Sequence, residues 1–254
     1  MRVEFLGTGT STGVPAIGCD CEVCRSADPR DNRLRASVCV TAGGRNILID
    51  CGPDFRQQML RSGISHLDAV LLTHEHYDHT SGLDELRNFS KSAPVPVYAE
   101  ANVLTVIREH LFYCFAEHPF PGVAQLQLQA FDAAMPFTVQ GVEIVPIRVM
   151  HGRLPIAAFR IGRFAYITDM LTMPESEYPK LSGVDTLVVN ALRHEQHLSH
   201  QTLDDALRII ARIAPRQAYL THMSHGMGLH AEQERTLPAG VAFAYDGLVI
   251  TLDE

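Results

Sequence analysis

The stretch that decides the fold of this chain is Thr73-His74-Glu75-His76-Tyr77-Asp78-His79. It follows directly on the apolar run Ala-Val-Leu-Leu, which is typical of a buried strand. Because residues two apart along an extended backbone point the same way, His74 and His76 can reach one metal ion. Asp78 and His79 come where the chain turns into a predicted helix, so they can face a second ion. Imidazole and carboxylate ligands suit zinc, manganese or iron; the alternative is a histidine-rich surface loop.

Three further candidate ligands stand at the ends of apolar runs, namely His151, Asp169 and His222. At a strand end a rigid scaffold meets an open loop, which is where binding residues concentrate. A lone histidine in such a position is more often structural. Three such residues added to the histidine run favour a metal site.

Composition limits the class of protein. The chain has 254 residues, 46% of them hydrophobic, which suffices for a large core, and we predict one domain over residues 1–254. A net charge of -8 argues against a dedicated nucleic-acid binder. We find no signal-peptide pattern and no apolar stretch long enough to span a membrane, so we expect a cytoplasmic protein. In that compartment the six cysteines are thiols or metal ligands rather than disulfides.

Turn signals and periodicity outline the fold. Early hairpins followed by alternating strands and helices predict two sheets packed face to face with helices outside. Helical periodicity covers 101–115 and, more clearly, 202–213, where Ser199 or Thr202 can cap the helix. Hairpin turns are predicted at 42–45, Gln140-Gly141, Gly162-Arg163 and Asp246-Gly247.

The order of these candidate ligands along the chain resembles the metallo-β-lactamase superfamily. The resemblance covers nearly the whole chain and implies an α/β fold, the four-layer αβ/βα sandwich, with two metal ions at one edge of the sheets. It also implies a division of the ligands. The first ion takes His74, His76 and His151, the second takes Asp78, His79 and His222, and Asp169 bridges them.

Two carboxylates refine this picture. A true β-lactamase commonly has Cys or Ser where Asp169 stands, which argues against antibiotic hydrolysis. Asp50, in Leu-Ile-Asp-Cys-Gly, is expected to orient a ligand histidine without touching the metal. Its alternative role is that of a turn-capping residue.

A cysteine cluster predicts a separate site. Cys19, Cys21 and Cys24 lie within six positions in a loop near 18–25, too close to pair readily with one another. Three thiolates make up most of a structural zinc site, which needs a fourth ligand. We choose His225, three residues after His222. A redox cluster or three unrelated thiols are the alternatives.

This cluster narrows the family. Together with the glycine- and threonine-rich stretch 7–15 and Thr221-His222-Met223-Ser224-His225, it resembles the phosphoribosyl cyclic phosphate phosphodiesterase group of bacterial phosphonate breakdown. That group carries an extra zinc on three cysteines and a histidine. The glycine- and threonine-rich start is shared with tRNase Z, so the cysteines discriminate better.

The same resemblance implies a proton donor. In both groups a histidine at the position of His200 protonates the leaving oxygen, and histidine suits a general acid. His194 and His197 are nearby, and the alternative is a histidine at a helix start with no role. For phosphate binding, Arg35 and Arg193 are candidate cations, with the alternative that each is a solvated surface residue.

The expected function is therefore a dinuclear metal-dependent phosphodiesterase. A water acidified by two Zn or Mn ions attacks a small cyclic or diester phosphate, and the expected substrate is a phosphoribosyl cyclic phosphate. His200 acts as general acid, Asp78 and Asp169 are counted as catalytic, and a third ion, Zn, is structural. The runner-up is a tRNase Z-like nuclease; a metal sensor and an electron carrier fit less well. We expect a small phosphodiester partner, no membrane and no nucleic acid, and a homodimer is compatible with the sequence.

Overall fold

The strands of the chain form two seven-stranded sheets in a computed structural model that describes residues 1–252. In chain order the strands are β1 (Arg2–Gly7), β2 (Ser37–Ala42), β3 (Arg45–Ile49), β4 (Ala69–Leu71), β5 (Val95–Ala99), β6 (Leu126–Ala130), β7 (Phe137–Val139), β8 (Val142–His151), β9 (Leu154–Ile161), β10 (Phe164–Ile167), β11 (Thr186–Asn190), β12 (Gln217–Thr221), β13 (Val241–Phe243) and β14 (Val249–Thr251). The α-helices are α1 (Phe55–Ser62), α2 (Tyr77–Thr80), α3 (Ala101–His110), α4 (Leu203–Ile213) and α5 (His230–Gln233). Short 3-10 helices cover Val23–Arg25, Pro29–Asp31, Leu83–Asn88, Phe112–Cys114, Glu175–Leu181, His225–Met227 and Glu234–Thr236.

The two sheets have related strand orders. The first runs β14-β1-β2-β3-β4-β5-β6 and the second β13-β12-β11-β10-β9-β8-β7. In each sheet one half is antiparallel and the other parallel. The turn at Gly43-Gly44, where both φ angles are positive, produces the β2–β3 hairpin, as tight two-residue hairpin loops require.

Apolar side chains divide the molecule into four layers. One core lies between the sheets and joins residues such as Val38 and Leu71 of the first sheet to Phe159 and Tyr166 of the second. A second core packs α1 and α3 on the outer face of the first sheet. A third packs α4 on the outer face of the second. The architecture is the predicted αβ/βα sandwich.

One edge of this sandwich collects the loops that carry chemistry. Strands β1, β3 and β4 of the first sheet run in the same direction, as do β8, β10 and β12 of the second. Their carboxyl ends therefore meet at a common edge of each sheet, and the predicted ligands follow several of them. Helix α4 begins beside this edge, where the Leu203 N–H donates to the Arg193 carbonyl. A capping box closes its first turn, in which Thr202 and Asp205 exchange backbone and side-chain hydrogen bonds.

The structure corrects the predicted final hairpin. The chain does turn at Asp246-Gly247, but β13 pairs with β12 in the second sheet and β14 pairs with β1 in the first. Each strand covers an otherwise open sheet edge, which satisfies backbone groups that a hairpin would leave exposed.

Two helices also differ from expectation. Helical periodicity predicts a helix over 101–115, but α3 ends at His110 and only a short 3-10 turn follows, in an aromatic stretch with low helix propensity. Helix α1 was not predicted, because its eight residues bury only three side chains and give a weak period. Among the described residues, no helix is long and apolar enough to cross a membrane.

Candidate metal-dependent active site

The three histidines assigned to the first ion lie together at the edge of the sandwich. His74 and His76 follow β4, and His151 is the last residue of β8 in the other sheet. One ring nitrogen of each lies within 4.8 Å of those of the other two. His74 Nε2 is 2.9 Å from His76 Nδ1. Three imidazoles converging on one point form a typical zinc ligand set.

The second group lies beside the first. Asp78, His79, Asp169 and His222 also place one ligand atom each within 4.8 Å of one another. His79 Nε2 is 3.3 Å from Asp169 Oδ1, and His222 Nε2 is 3.2 Å from Asp169 Oδ2. Asp169 also groups with His151 of the first set. This carboxylate therefore stands between the two groups, as a bridging ligand would.

Buried ring nitrogens test whether these residues fit metal ions. Nε2 of His79 and Nε2 of His222 are both buried and have no hydrogen-bond partner within the described chain. Such orphaned polar atoms are costly unless something satisfies them. Both point towards the carboxylates of Asp78 and Asp169. Nitrogen lone pairs and carboxylate oxygens facing one space suit divalent cations.

Electrostatics favours a cation at the same place. Burial opposes ionisation of Asp169, but His222 and His79 outweigh it and hold the pKa of this carboxyl well below its usual range. Burial likewise opposes a charged His79, and Asp169 and Asp50 still raise the pKa of its ring. These carboxylates favour positive charge at His79, whether a proton or a metal ion carries it, so metal binding should release protons.

The opposite nitrogens of three ligand rings are held by hydrogen bonds. His79 Nδ1 donates to Asp50 Oδ2 at 2.7 Å, and His151 Nδ1 donates to the Ser199 carbonyl at 3.0 Å. His74 Nδ1 lies 2.9 Å from Thr73 Oγ1, which in turn donates to Asp50. These bonds fix each ring so that its free nitrogen faces the site.

Two supporting residues were not predicted. Thr73 links Asp50 to His74, and the only sequence signal was its place directly before the histidine run. Asn190 accepts a hydrogen bond from the Met170 backbone N–H and donates to the Met170 carbonyl, at 2.8 and 2.9 Å. It therefore fixes the residue after Asp169. Its position at the end of β11 was the available signal.

The backbone at the site is strained. Asp50, Asp169 and His222 have φ angles of 63°, 57° and 57°, in the left-handed region that non-glycine residues rarely adopt. Such conformations cost on the order of 1–3 kcal/mol each and persist where the surroundings impose them. All three lie just after a strand, where the left-handed turn directs Asp169 and His222 to the metal groups and Asp50 to His79.

His200 lies against both groups. Its Nδ1 is buried, has no hydrogen-bond partner in the described chain, and is 3.9 Å from Asp169 Oδ2. Its ring is 4.6 Å from that of His151 and 4.9 Å from that of His222. Burial and the neighbouring His222 lower the pKa of His200 to about 3, so the ring is neutral without substrate. The other candidates are further from the ligands. His194 contacts Gln233 and the Met227 carbonyl, and His197 is exposed, with its ring tilted by 37° against that of His200.

The predicted structural zinc ligands also meet. Cys19, Cys21, Cys24 and His225 place their ligand atoms within 4.8 Å of one another. His225 Nδ1 is 3.5 Å from Cys19 Sγ and 3.3 Å from Cys21 Sγ. The Cys24 backbone and the His225 ring lower the pKa of the Cys21 thiol to about 6, whereas burial raises that of Cys24 to about 11. A bound cation would deprotonate the remaining thiols.

Replacing Cys21 by serine should lower the melting temperature and the zinc content more than the turnover number. A closed thiolate site contributes folding energy directly. Thermal unfolding, elemental analysis and kinetics of the variant test this expectation. Cys114→Ser is the matched control, because Cys114 belongs neither to the cysteine site nor to the active-site ligands. A variant that kept its full melting temperature and lost only turnover would make the cysteines catalytic.

Replacing Asp50 by asparagine should weaken metal binding at the active site about 10–100-fold, because the partner that orients His79 loses its charge. Metal affinity is measured by competition with a chelator. Asp68→Asn is the matched control. Asp68 is also a buried strand-end carboxylate that accepts a backbone N–H, but it precedes β4 at the opposite edge. Equal metal affinity in both variants would remove Asp50 from this role.

Known proteins share this fold. A model of the β-lactamase superfamily domain matches residues 45–223. A diphosphatase of the PhnP family has a solved structure with 40% sequence identity and a TM-score of 0.92, covering 98% of this chain and 97% of that one. Zinc-bound PqqB from Methylobacterium extorquens has a TM-score of 0.78 at 22% identity, covering 99% and 100% of the two chains, and shows the fold alone.

A curated relative carries a different name. The octanoyltransferase of Porphyromonas gingivalis (strain ATCC BAA-308 / W83) is 47% identical over 256 residues. The match covers 100% of this chain but 52% of the relative, so the chain spans about half the length of that protein. The name therefore describes a protein of which about half lies outside the match. The superfamily model and the PhnP-family structure both cover most of this chain, which belongs to the metallo-β-lactamase superfamily as a PhnP-like, metal-dependent hydrolase.

Proposed function

We propose that this chain is a dinuclear metal-dependent phosphodiesterase acting on a small cyclic or diester phosphate, with a phosphoribosyl cyclic phosphate as the leading candidate. The observation that carries the proposal is the position of Asp169. Its carboxylate lies close to His79 and His222 on one side and to His151 on the other. The ligands therefore fit two cations that share this carboxylate. We propose Zn or Mn for these two ions and Zn for the cysteine site.

Two such ions would supply an acidified water and positive charge beside the phosphate, which is the chemistry that phosphoester hydrolysis needs. The chain itself supplies orientation and a proton. Asp78 and Asp169 would hold the cations and balance their charge. His200 is proposed to give its proton to the leaving oxygen through Nδ1, the buried and unpartnered nitrogen that faces Asp169. A phosphate anion beside the ring favours the protonated form that this step needs.

A second candidate substrate is a diphosphate. The solved structure with 40% identity is that of a diphosphatase, and a diphosphate diester presents the same kind of phosphorus centre. Hydrolysis of a P–O–P linkage would use the same residues, with a phosphate in place of a sugar oxygen as leaving group. The net charge of -8 disfavours the tRNase Z-like alternative, since an RNA substrate is a polyanion.

The test is a substrate panel with metal-loaded protein. It contains a phosphoribosyl 1,2-cyclic phosphate, ADP-ribose as a diphosphate diester, bis(p-nitrophenyl) phosphate, precursor tRNA and a β-lactam. We expect the cyclic phosphate to have the highest kcat/KM and the β-lactam to remain intact. Elemental analysis should find two active-site ions and one zinc per chain. Cleavage of precursor tRNA without turnover of any small diester would establish the nuclease instead, and active protein with fewer than two ions would refute the dinuclear site.

A further inference from the structure

We propose that Arg35 binds a phosphate of the substrate that is not itself cleaved, which makes it a specificity residue of the active site. This inference rests on the proposed phosphodiesterase function. It concerns an anion-binding subsite beside the metal groups, formed by Arg35 and the loop 10–13. Four structural observations carry it.

The first observation is the place of Arg35 in the fold. It lies two residues before β2, whose first residue, Ser37, donates to the carbonyls of Ile49 and Asp50 at 3.1 and 2.8 Å. Arg35 is therefore at the edge of the first sheet where β3 ends and the metal-binding loops begin. Its side chain is 29% exposed, so it is accessible to a ligand.

The second observation is its proximity to a metal ligand. Gly52 packs so tightly on Asp78 that an added Cβ would collide with the Asp78 carbonyl. The same Cβ would lie 3.6 Å from Cβ of Arg35. Only Gly52 therefore separates Cβ of Arg35 from the backbone of Asp78.

The third observation is where the guanidinium ends. Its Nη1 lies 3.2 Å from the position that a Cβ on Gly13 would occupy. Gly13 closes a turn by donating to the Thr10 carbonyl, and Thr10 N–H donates to the carbonyl of Met223, the residue after His222. Arg35 therefore spans the space between a loop packed on Asp78 and a loop packed beside His222.

The fourth observation is unused hydrogen-bonding capacity. The guanidinium has five N–H groups, and its one side-chain ion pair is with Asp54, at 3.4 Å from Nη1. Nε is buried and has no partner in the described chain. A guanidinium is a planar fork of donors that matches two oxygens of one phosphate, and the unpartnered Nε leaves capacity for such a bond.

The guanidinium of Arg193, the other candidate cation, already donates hydrogen bonds within the chain. Its Nε donates to the Glu195 carbonyl at 3.3 Å and its Nη2 to the Gln196 carbonyl at 3.1 Å. Both bonds lie within its own loop. The structure therefore favours Arg35 over Arg193 as the phosphate ligand and supplies Arg193 as a control.

Two substrate classes offer such a phosphate. One is a sugar phosphomonoester remote from the cyclic phosphate, and the other is the second phosphate of a diphosphate. The experiment separates them by comparing Arg35→Ala with wild-type protein on matched substrates. Phosphoribosyl 1,2-cyclic phosphate is compared with ribose 1,2-cyclic phosphate, and ADP-ribose with bis(p-nitrophenyl) phosphate.

The Arg35→Ala variant should raise KM about 10–100-fold on the substrates with the extra phosphate, as loss of a charge-assisted bond predicts. It should change kcat and the KM of the matched substrates less than about 3-fold, within the range of surface changes. A raised KM on only one of the two phosphate-bearing substrates identifies which kind of phosphate Arg35 binds. Arg35→Lys should restore part of the affinity, because it keeps the charge and loses the fork. Arg193→Ala should leave the substrate ratio unchanged.

An equal loss on both members of each pair would overturn the inference, since Arg35 would then act by supporting Gly52 and Asp78. No loss on any substrate would overturn it too. If wild-type protein hydrolysed none of the substrates, the phosphodiesterase proposal would fail on its own. Calorimetric titration of metal-loaded protein with ribose 5-phosphate would still test Arg35: we expect about 10–100-fold weaker binding by Arg35→Ala, and equal binding would refute the subsite.

Discussion

Replacing Asp169 by alanine is expected to reduce hydrolysis to the background of the assay, a loss of at least about 10³-fold. The substitution removes the carboxylate that groups with both sets of ligands. Several kcal/mol of transition-state stabilisation accompany correctly placed ions, and each 1.36 kcal/mol is worth about tenfold in rate. The measurements are kcat/KM on the best phosphodiester and the metal content after gel filtration.

The pattern of metal loss distinguishes a bridging ligand from a terminal one. Asp169→Ala should lower occupancy at both active-site positions, whereas His74→Ala should mainly empty the three-histidine group. The cysteine site should keep its zinc in both variants. Asp185→Ala is the matched control, because Asp185 is a carboxylate just before β11 and pairs with Arg163 at the opposite edge. Full activity of Asp169→Ala would exclude the shared-carboxylate site.

The local sequence was sufficient to predict the candidate metal ligands. Alternation along an extended chain places His74 and His76 on one side, and the loss of apolar character marks the strand ends at Asp169 and His222. What it could not predict is which strand ends are neighbours in space. That depends on the packing of two sheets through a core that joins distant residues, such as Val38 and Phe159.

The parts that escaped prediction are tertiary in origin. The segment after Val241 has a hairpin turn, yet its strands join different sheets because each sheet offers a free edge. The left-handed backbone of Asp169 and His222 was not predicted, because most Asp and His residues have a negative φ even though both types are enriched in this region. The roles of Thr73 and Asn190 follow from hydrogen bonds to Asp50 and to Met170, which are distant in the sequence and meet only in the folded chain. The position of His200 was assigned by resemblance, and the structure brings its ring beside His151 and His222.

His200→Ala should retain its metals and lose about 10²–10⁴-fold in rate on substrates with a poor leaving group. A sugar alkoxide needs a proton as it leaves, whereas nitrophenolate is a far better leaving group and needs it less. The loss should therefore be much larger on a ribose cyclic phosphate than on bis(p-nitrophenyl) phosphate. His194→Ala, at a histidine held by Gln233 and the Met227 carbonyl, should change both rates by less than about 3-fold.

The ratio of the rate losses on the two substrates separates proton donation by His200 from substrate binding. Removal of a group that only orients the phosphate slows both substrates alike, since both present the same phosphorus to the same ions. Removal of a proton donor slows each substrate according to the basicity of its leaving oxygen. Equal losses for His200→Ala would therefore assign His200 to orientation through Asp169, from which its Nδ1 is 3.9 Å away. Unequal losses with unchanged metal content would assign it the proton.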